Sequence, residues 1–445
     1  MVSDKTGMLD PMEGLSWASR ARCQLPSLRS VSATTLYVNV SIVVFGFVTS
    51  VMASRWLGPA GRGELAAALA VSTLLPYIAS MGFVSSVLYH SAPHHEGANR
   101  TLSSALPLGV IQAAIFGAAA WLLLPVFMRQ QSPGVVISAQ VSLAALPANL
   151  LALYLLGALQ GHLRFAAFNV LRLVLPFGSF LGLAGLKLSD HLTARLMVVV
   201  YVVLPFVLLF AAASYMIAQD MIKSVRPQAL VVKRLFAYGF RAQAGDLANS
   251  LNVRLDQVLI AAWLPVEQLG FYVAALGAGS VVGMFGYTIQ LVLQPRLLNE
   301  STEVGRARLL KQGIFRYLMA GGAVSVAMIG LLPSAVPRIF GRAFDESVFT
   351  SQLLVIAAFI LGLKGILAGT AHAYGAPWLA SKAELAGLVV TFITLAIFVP
   401  SLGIEGGALS SILAYAVQAG IIGIGLRRRR ADFSSDLEFV GAGGG

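Results

Sequence analysis

Long apolar runs separated by brief polar breaks set the rhythm of this 445-residue chain. Twelve can be counted, at roughly 34–55, 65–90, 101–127, 135–160, 165–187, 194–218, 235–264, 268–295, 309–334, 349–370, 379–400 and 404–426. Each is near the ~20 residues that a helix needs to cross a hydrocarbon core. None alternates with period two, as a membrane β-strand would. In lipid, a run of this kind can satisfy its own backbone hydrogen bonds only as a helix. The pattern predicts an all-α, polytopic membrane protein of about twelve transmembrane helices. Pro76, Pro107, Pro147, Pro176 and Pro205 fall inside runs and predict kinks, which membrane bundles tolerate.

The pattern repeats. Trp56, Leu57, Gly63, Ala67, Ala68 and Leu69 recur 207 positions later as Trp263, Leu264, Gly270, Ala274, Ala275 and Leu276. Each copy sits where one run gives way to the next. An even number of runs in each half makes this a parallel repeat, two six-helix lobes around a central cavity, related by an axis along the membrane normal. The expected organisation is an N-terminal tail (1–33), a first lobe (34–218), a linker (219–233), a second lobe (234–426) and a C-terminal tail (427–445).

Composition agrees: 57% hydrophobic and 11% charged residues, with a mean hydropathy of +0.80. Soluble domains carry about 25% charged residues. The net charge of +12 does not indicate nucleic acid, because the basic residues gather at run ends, where they set membrane orientation. With the N-terminus in the cytoplasm, nineteen Lys and Arg fall in inner loops and seven in outer loops. Both tails and the linker are therefore expected in the cytoplasm, with Arg427 to Arg430 as a stop anchor. The lone Cys23 forms no intrachain disulfide or thiolate metal site. His94, His95 and Glu96 read as a solvated turn, and no metal site is expected.

Five bases lie within the runs: Arg172, Arg241, Arg254, Arg316 and Lys364. Near an interface such groups can snorkel; deeper, they face a bundle interior or a wet cavity. The seventh run is the most polar. At 100° per residue, Gln243, Asp246, Ser250, Arg254 and Gln257 form one stripe, and Asn249, Asn252 and Asp256 another. Arg254 and Asp256 thus point apart. A helix polar on two faces belongs inside a bundle, as hydrogen-bonding glue or as a cavity wall. A cavity lined by bases suits an anionic group, and Lys and Arg are the usual phosphate partners.

The segments SRWLGPAGRGELAAALAV (54–71), LQGHLRFAAFNVLRLVLP (159–176), LNVRLDQVLIAAWLPVEQLGFYVAA (251–275) and LQPRLL (293–298) resemble the polysaccharide-transporter branch of the multidrug/oligosaccharidyl-lipid/polysaccharide exporter superfamily, the Wzx-like flippases. Leu264-Pro265 departs from the family's usual Leu-Gly-Pro. The resemblance implies a bacterial inner-membrane transporter, not an enzyme, that moves a polyprenyl-diphosphate-linked oligosaccharide from the inner to the outer leaflet. It implies a diphosphate-binding role for Arg254, Arg241, Arg172, Arg316 and Lys364, beside polar Gln243, Ser250, Gln257, Asn249 and Asn252. Asp246 or Asp256 would carry a coupling ion, H+ or Na+, with no other cofactor. The expected partners are the lipid-linked glycan, membrane lipids and a polysaccharide polymerase with its export machinery. A cation-coupled multidrug exporter is the alternative; it would favour acidic and aromatic groups, whereas bases outnumber Asp246 and Asp256. A membrane glycosyltransferase or polymer ligase would need a larger outer loop than this chain has.

Overall fold

The computed structural model of the chain describes the backbone of residues 28–442 except 94, 224–225 and 301, and the side chains of 34–428 except those four, 241–244 and 246. Cys23 and His94 lie outside it. The described residues are helices joined by turns, with no strand among them.

Nine helices among them are long and apolar enough to cross a membrane. Two of these are double crossings. Helix Leu28–Ala79 breaks at Gly58, with φ 69° and ψ 179°, and helix Pro377–Ala442 breaks at Gly403, with φ 61°. Glycine adopts a positive φ without steric cost. The more polar helix Ala229–Trp263 supplies the twelfth crossing. The spans are 1 (28–57), 2 (59–79, continued by Phe83–His90), 3 (Gly97–Phe127), 4 (Pro133–Gly161), 5 (Phe165–Leu188), 6 (Ala194–Ala218), 7 (Ala229–Trp263), 8 (Val266–Asn299), 9 (Glu303–Ile339), 10 (Ser347–Ala373), 11 (377–402) and 12 (404–442). The face from which span 1 starts is called the near face, the other the far face. Helix continues past Arg427 to Ala442, where sequence suggested only a tail, and span 7 begins at Ala229, which shortens the linker.

Local chemistry explains the interruptions. Span 5 breaks between Phe165–Arg172 and Val174–Leu188, because Pro176 cannot donate to the Arg172 carbonyl and its ring clashes there. Span 4 passes through a 3-10 turn, Leu143–Ala145, just before Pro147. Thr193 and Thr302 cap spans 6 and 9, their hydroxyls accepting from Leu196 N (3.2 Å) and Gly305 N (3.1 Å). In the near-face turn before span 9, the Thr302 hydroxyl and amide both donate to Glu300 and hold its carboxyl below the usual glutamate range.

The two copies of the repeat meet face to face. A Cβ on Gly63 would lie 1.7 Å from the Val266 carbonyl oxygen, and one on Gly270 would lie 2.1 Å from that of Pro59. Gly63 and Gly270 are 207 positions apart, as are Pro59 and Val266, so the contacts are images of each other under a two-fold operation. Around them Ala67, Ala68, Ala274 and Ala275 are buried. The repeated small residues are those that let spans 2 and 8 approach backbone to backbone. The symmetry extends along the far face. Gln131 donates to the carbonyls of Ala261 and Leu264 at 2.8 Å each, closing the end of span 7. Its image, Arg338, accepts at its carbonyl from Arg55 at the end of span 1. On the near face, span 7 is tied to the first lobe by a Glu96–Arg234 ion pair, a Tyr89–Tyr238 stack at 4.6 Å and close backbone contact between Gly82 and Gly239.

Candidate functional site

Span 7 divides its polar groups as its helical period requires. The stripe of Asn249, Asn252 and Asp256 turns into the second lobe. Asn252, 2% exposed, donates from Nδ2 to both the backbone oxygen and Oε2 of Glu384 at 3.0 Å, and accepts at Oδ1 from Thr391 at 3.1 Å. Glu384 in span 11 is ion-paired with Lys364 of span 10, and the Lys364 Nζ also donates to Asn249 Oδ1 at 3.3 Å. A buried pair of this kind persists only when its remaining hydrogen-bonding capacity is met; Asn249 and Asn252 supply that here. One turn farther along, Asp256 is buried, accepting from Tyr272 Oη at 2.5 Å and from the Gln257 amide at 2.7 Å. This stripe joins spans 7, 8, 10 and 11 through side chains.

Beside the network lies a cavity of about 490 Å3, walled by spans 7, 8, 10 and 11. Asn249, Tyr287, Gln290, Lys364, Ser381 and Glu384 face it. At its rim, Asn39 of span 1 donates to the Tyr287 hydroxyl at 3.2 Å, so the cavity reaches the seam between the lobes.

On the other stripe, Arg254 turns toward the first lobe. The Arg254 guanidinium is half-buried and stands 5.8 Å from the ring centroid of Tyr77 in span 2, within cation–π range. Among the described residues Arg254 makes no ion pair. It lies nine residues, or about 14 Å, from the far end of its helix, close to mid-membrane. Ser250 and Gln257 are partly buried on the same stripe. The side chains of Arg241, Gln243 and Asp246 lie outside the described residues.

Of the other expected cations, Arg172, Arg316 and Lys364 do not converge on one cavity. Arg172 stays within the first lobe at the span 5 break, 5.1 Å from the Phe168 ring. Arg316 is exposed on span 9 beside exposed Phe315 and Met319. Lys364 lies nine residues, about 14 Å, before the near end of its helix, deeper than its place in the apolar run suggested, and its charge is answered by Glu384. The reading of intramembrane acids as Asp246 and Asp256 alone omitted this carboxylate. A signal for it exists in the sequence: positions 364 and 384 are equidistant from 374, in the short turn joining spans 10 and 11, and an antiparallel helix pair brings such positions level.

The chain matches the family described as "Polysaccharide biosynthesis protein" over residues 27–299. It belongs to that polysaccharide biosynthesis family. The matched region holds spans 1 to 8, both copies of the repeated corner, and Arg254. Among proteins of curated function, none matches it in sequence. Solved structures share the fold. "Lipid II flippase MurJ, inward closed conformation" superposes with a TM-score of 0.73 at 14% identity, over 88% of this chain and 87% of that one. "Inward-facing conformation of a multidrug resistance MATE family transporter of the MOP superfamily" gives 0.68 at 12% identity, over 90% and 99%. The MATE multidrug transporter DinF-BH gives 0.64 at 16%, over 92% and 96%. This member of the polysaccharide biosynthesis family thus has the two-lobed, all-helical fold of MOP-superfamily transporters.

Proposed function

We propose that the protein flips a polyprenyl-diphosphate-linked oligosaccharide from the inner to the outer leaflet of a bacterial inner membrane, by alternating access between its lobes. The observation that carries this reading is Arg254. It is a mid-membrane guanidinium at the lobe seam, in no ion pair among the described residues, in a chain of the polysaccharide biosynthesis family. A guanidinium at that depth with no ion pair is costly and gains from a ligand or water that meets it, and guanidinium suits a phosphate oxygen pair. The polyprenyl tail would stay in lipid beside the seam. Both termini face the cytoplasm in this reading, Asp246 and Asp256 are the candidates for a coupling proton or Na+, and a polysaccharide polymerase with its export machinery receives the product. The protein acts as a transporter rather than an enzyme: its far-face turns, such as 128–132 and 189–193, leave no room for a folded catalytic loop.

Arg254→Ala tests the reading. Glycan export should be lost while the amount of protein in the membrane stays near normal, and Arg254→Lys should restore part of it, since lysine keeps the charge but loses the planar fork. Full export by a well-expressed Arg254→Ala protein would remove the diphosphate role. Cationic-drug resistance lost in its place would favour a multidrug exporter.

A further inference from the structure

Why one helix should carry two polar stripes is not explained by a diphosphate alone. Arg254 serves one stripe; the other lines the cavity of the second lobe. That cavity's chemistry differs from an anion site. Lys364 and Glu384 neutralise each other, and the remaining polar groups are Asn249, Tyr287, Gln290, Ser381 and His372, the last with its Nδ1 2.8 Å from the Ala368 carbonyl oxygen of its own helix. A diphosphate placed here would have to displace Glu384 from a buried pair and leave that carboxylate unpaired. The cavity wall sets these polar groups beside apolar Leu361, Ala368 and Ala380. It offers carboxylate and amide oxygens that accept from hydroxyl groups, ammonium and amide donors that give to them, and one aromatic ring for a flat apolar face.

Glycines open the volume. A Cβ on Gly283 would meet nothing within 4 Å, so span 8 there borders empty space, and Gly245, Gly362 and Gly365 also line the cavity. At about 490 Å3, the space falls within the ~300–1,000 Å3 of ordinary ligand sites. Its rim meets the first lobe through Asn39 and Tyr287, on the same helix as, but a different stripe from, Arg254.

We propose that the second-lobe cavity between spans 7, 8, 10 and 11 is a saccharide subsite, which takes the uncharged sugar head while Arg254 takes the diphosphate. This rests on the flippase reading and extends it by dividing the substrate between the two stripes of span 7. Sugar choice then lies with Asn249, Gln290, Ser381 and the Lys364–Glu384 pair, and the rim bond from Asn39 to Tyr287 links occupancy to the approach of the lobes.

The test uses the full-length protein in lipid nanodiscs and two kinds of probe: polyprenyl diphosphate without sugar, and the same lipid bearing one hexose, N-acetylhexosamine or deoxyhexose. Two or three added hydrogen bonds, each worth about 0.5–1.5 kcal/mol net, should make at least one sugar-bearing probe bind about tenfold tighter, tenfold being ~1.4 kcal/mol. Gly283→Leu fills the open space and should abolish this preference while leaving affinity for the bare diphosphate unchanged. Gln290→Leu keeps the packing volume and should reduce the preference without Gly283→Leu's added bulk. Arg254→Ala should weaken both probes by the same factor. Retained sugar preference in both cavity variants overturns the subsite. Equal binding of bare and sugar-bearing probes by the wild type overturns it too, while leaving the flippase reading intact. Binding of neither probe, with the cationic dye ethidium bound and then lost in Gly283→Leu, overturns both.

Discussion

Spans 1 and 7 hold the same place in their lobes and enter the same corner, yet they carry opposite chemistry. At the fixed offset of 207, Ile42, Phe45, Phe47 and Thr49 of span 1 correspond to Asn249, Asn252, Arg254 and Asp256 of span 7. Phe45 meets span 5 through Phe177 and Phe180, with ring centroids 5.2 and 5.7 Å away. Asn252, its image, meets span 11 through hydrogen bonds to Glu384 and Thr391. Both joints hold a lobe together, by different forces. An aromatic pair adds about 0.5–1.5 kcal/mol beyond area burial and tolerates small shifts. A buried ionic network has demanding geometry and is costly when half-broken. The comparison teaches that the repeat preserves the frame and the lobe contact, while this buried ionic network belongs to the second lobe.

The strongest way to break the comparison is to remove one member of the ionic network. Lys364→Ala or Glu384→Ala would leave its partner's charge buried alone, at a cost of about 3–5 kcal/mol. Either protein should melt far earlier in detergent and accumulate poorly. The double variant Lys364→Met/Glu384→Leu converts the joint toward the apolar kind found in the first lobe and should recover most of the melting temperature, but not export. If the single variants melt like the wild type, the pair is not the structural centre of the second lobe.

Much of this was legible in the sequence, for physical reasons. Length and apolarity set the twelve spans. The repeated small residues marked the corner, although its second copy turns at Pro265, with φ −56° and ψ 151°, where the first uses Gly58. Helical period separated Arg254, which meets Tyr77 of the first lobe, from Asn252 and Asp256, which meet Glu384 and Tyr272 of the second. Distance from a loop is written in the sequence; direction around a bundle is not. So Arg172, Arg316 and Lys364, which look alike by depth, take up an aromatic stack, an exposed face and an ion pair. Counted from the turns that precede spans 5 and 11, Arg172 and Glu384 occupy matching positions, a reversal of charge between the lobes that only packing gives a meaning.

The corner offers the next test, because there the lobes should behave alike. A methyl group at Gly63 or at Gly270 meets a carbonyl oxygen of the other lobe at 1.7 or 2.1 Å. These are backbone atoms, so the helices must part to admit it. Overpacking of this kind costs about 1–3 kcal/mol. Gly63→Ala and Gly270→Ala should therefore lower the melting temperature by similar amounts. In combination they should do less than the sum, because one separation of the helices relieves both clashes and coupled sites are not additive. Strongly unequal single effects, or full additivity, would sink the two-fold reading of the contact.

The smallest effect is expected where the near-face turns differ. The turn after span 2 reaches across to span 7 through Glu96 and Arg234. The turn after span 8 binds only itself among the described hydrogen bonds, with Thr302 donating to Glu300 and Arg306 pairing with Glu303 at 3.3 Å. Those bonds favour the ionised form of Glu300 in the folded protein and so hold its carboxyl below the ordinary value of 4.5. The sign follows from linkage: a carboxyl more acidic in the folded state adds stability above its unfolded value, and loses it as the pH falls through the folded one. Glu300→Gln should thus melt slightly below the wild type at pH 7, and the gap should close in acid below the ordinary glutamate range. Because the group is exposed, solvent screens the effect and it should stay small. Melting curves of the two proteins at neutral and acidic pH decide the matter. A gap that persists unchanged in acid would mean that the carboxylate charge contributes nothing, and that the turn before span 9 is held by its Thr302 cap alone.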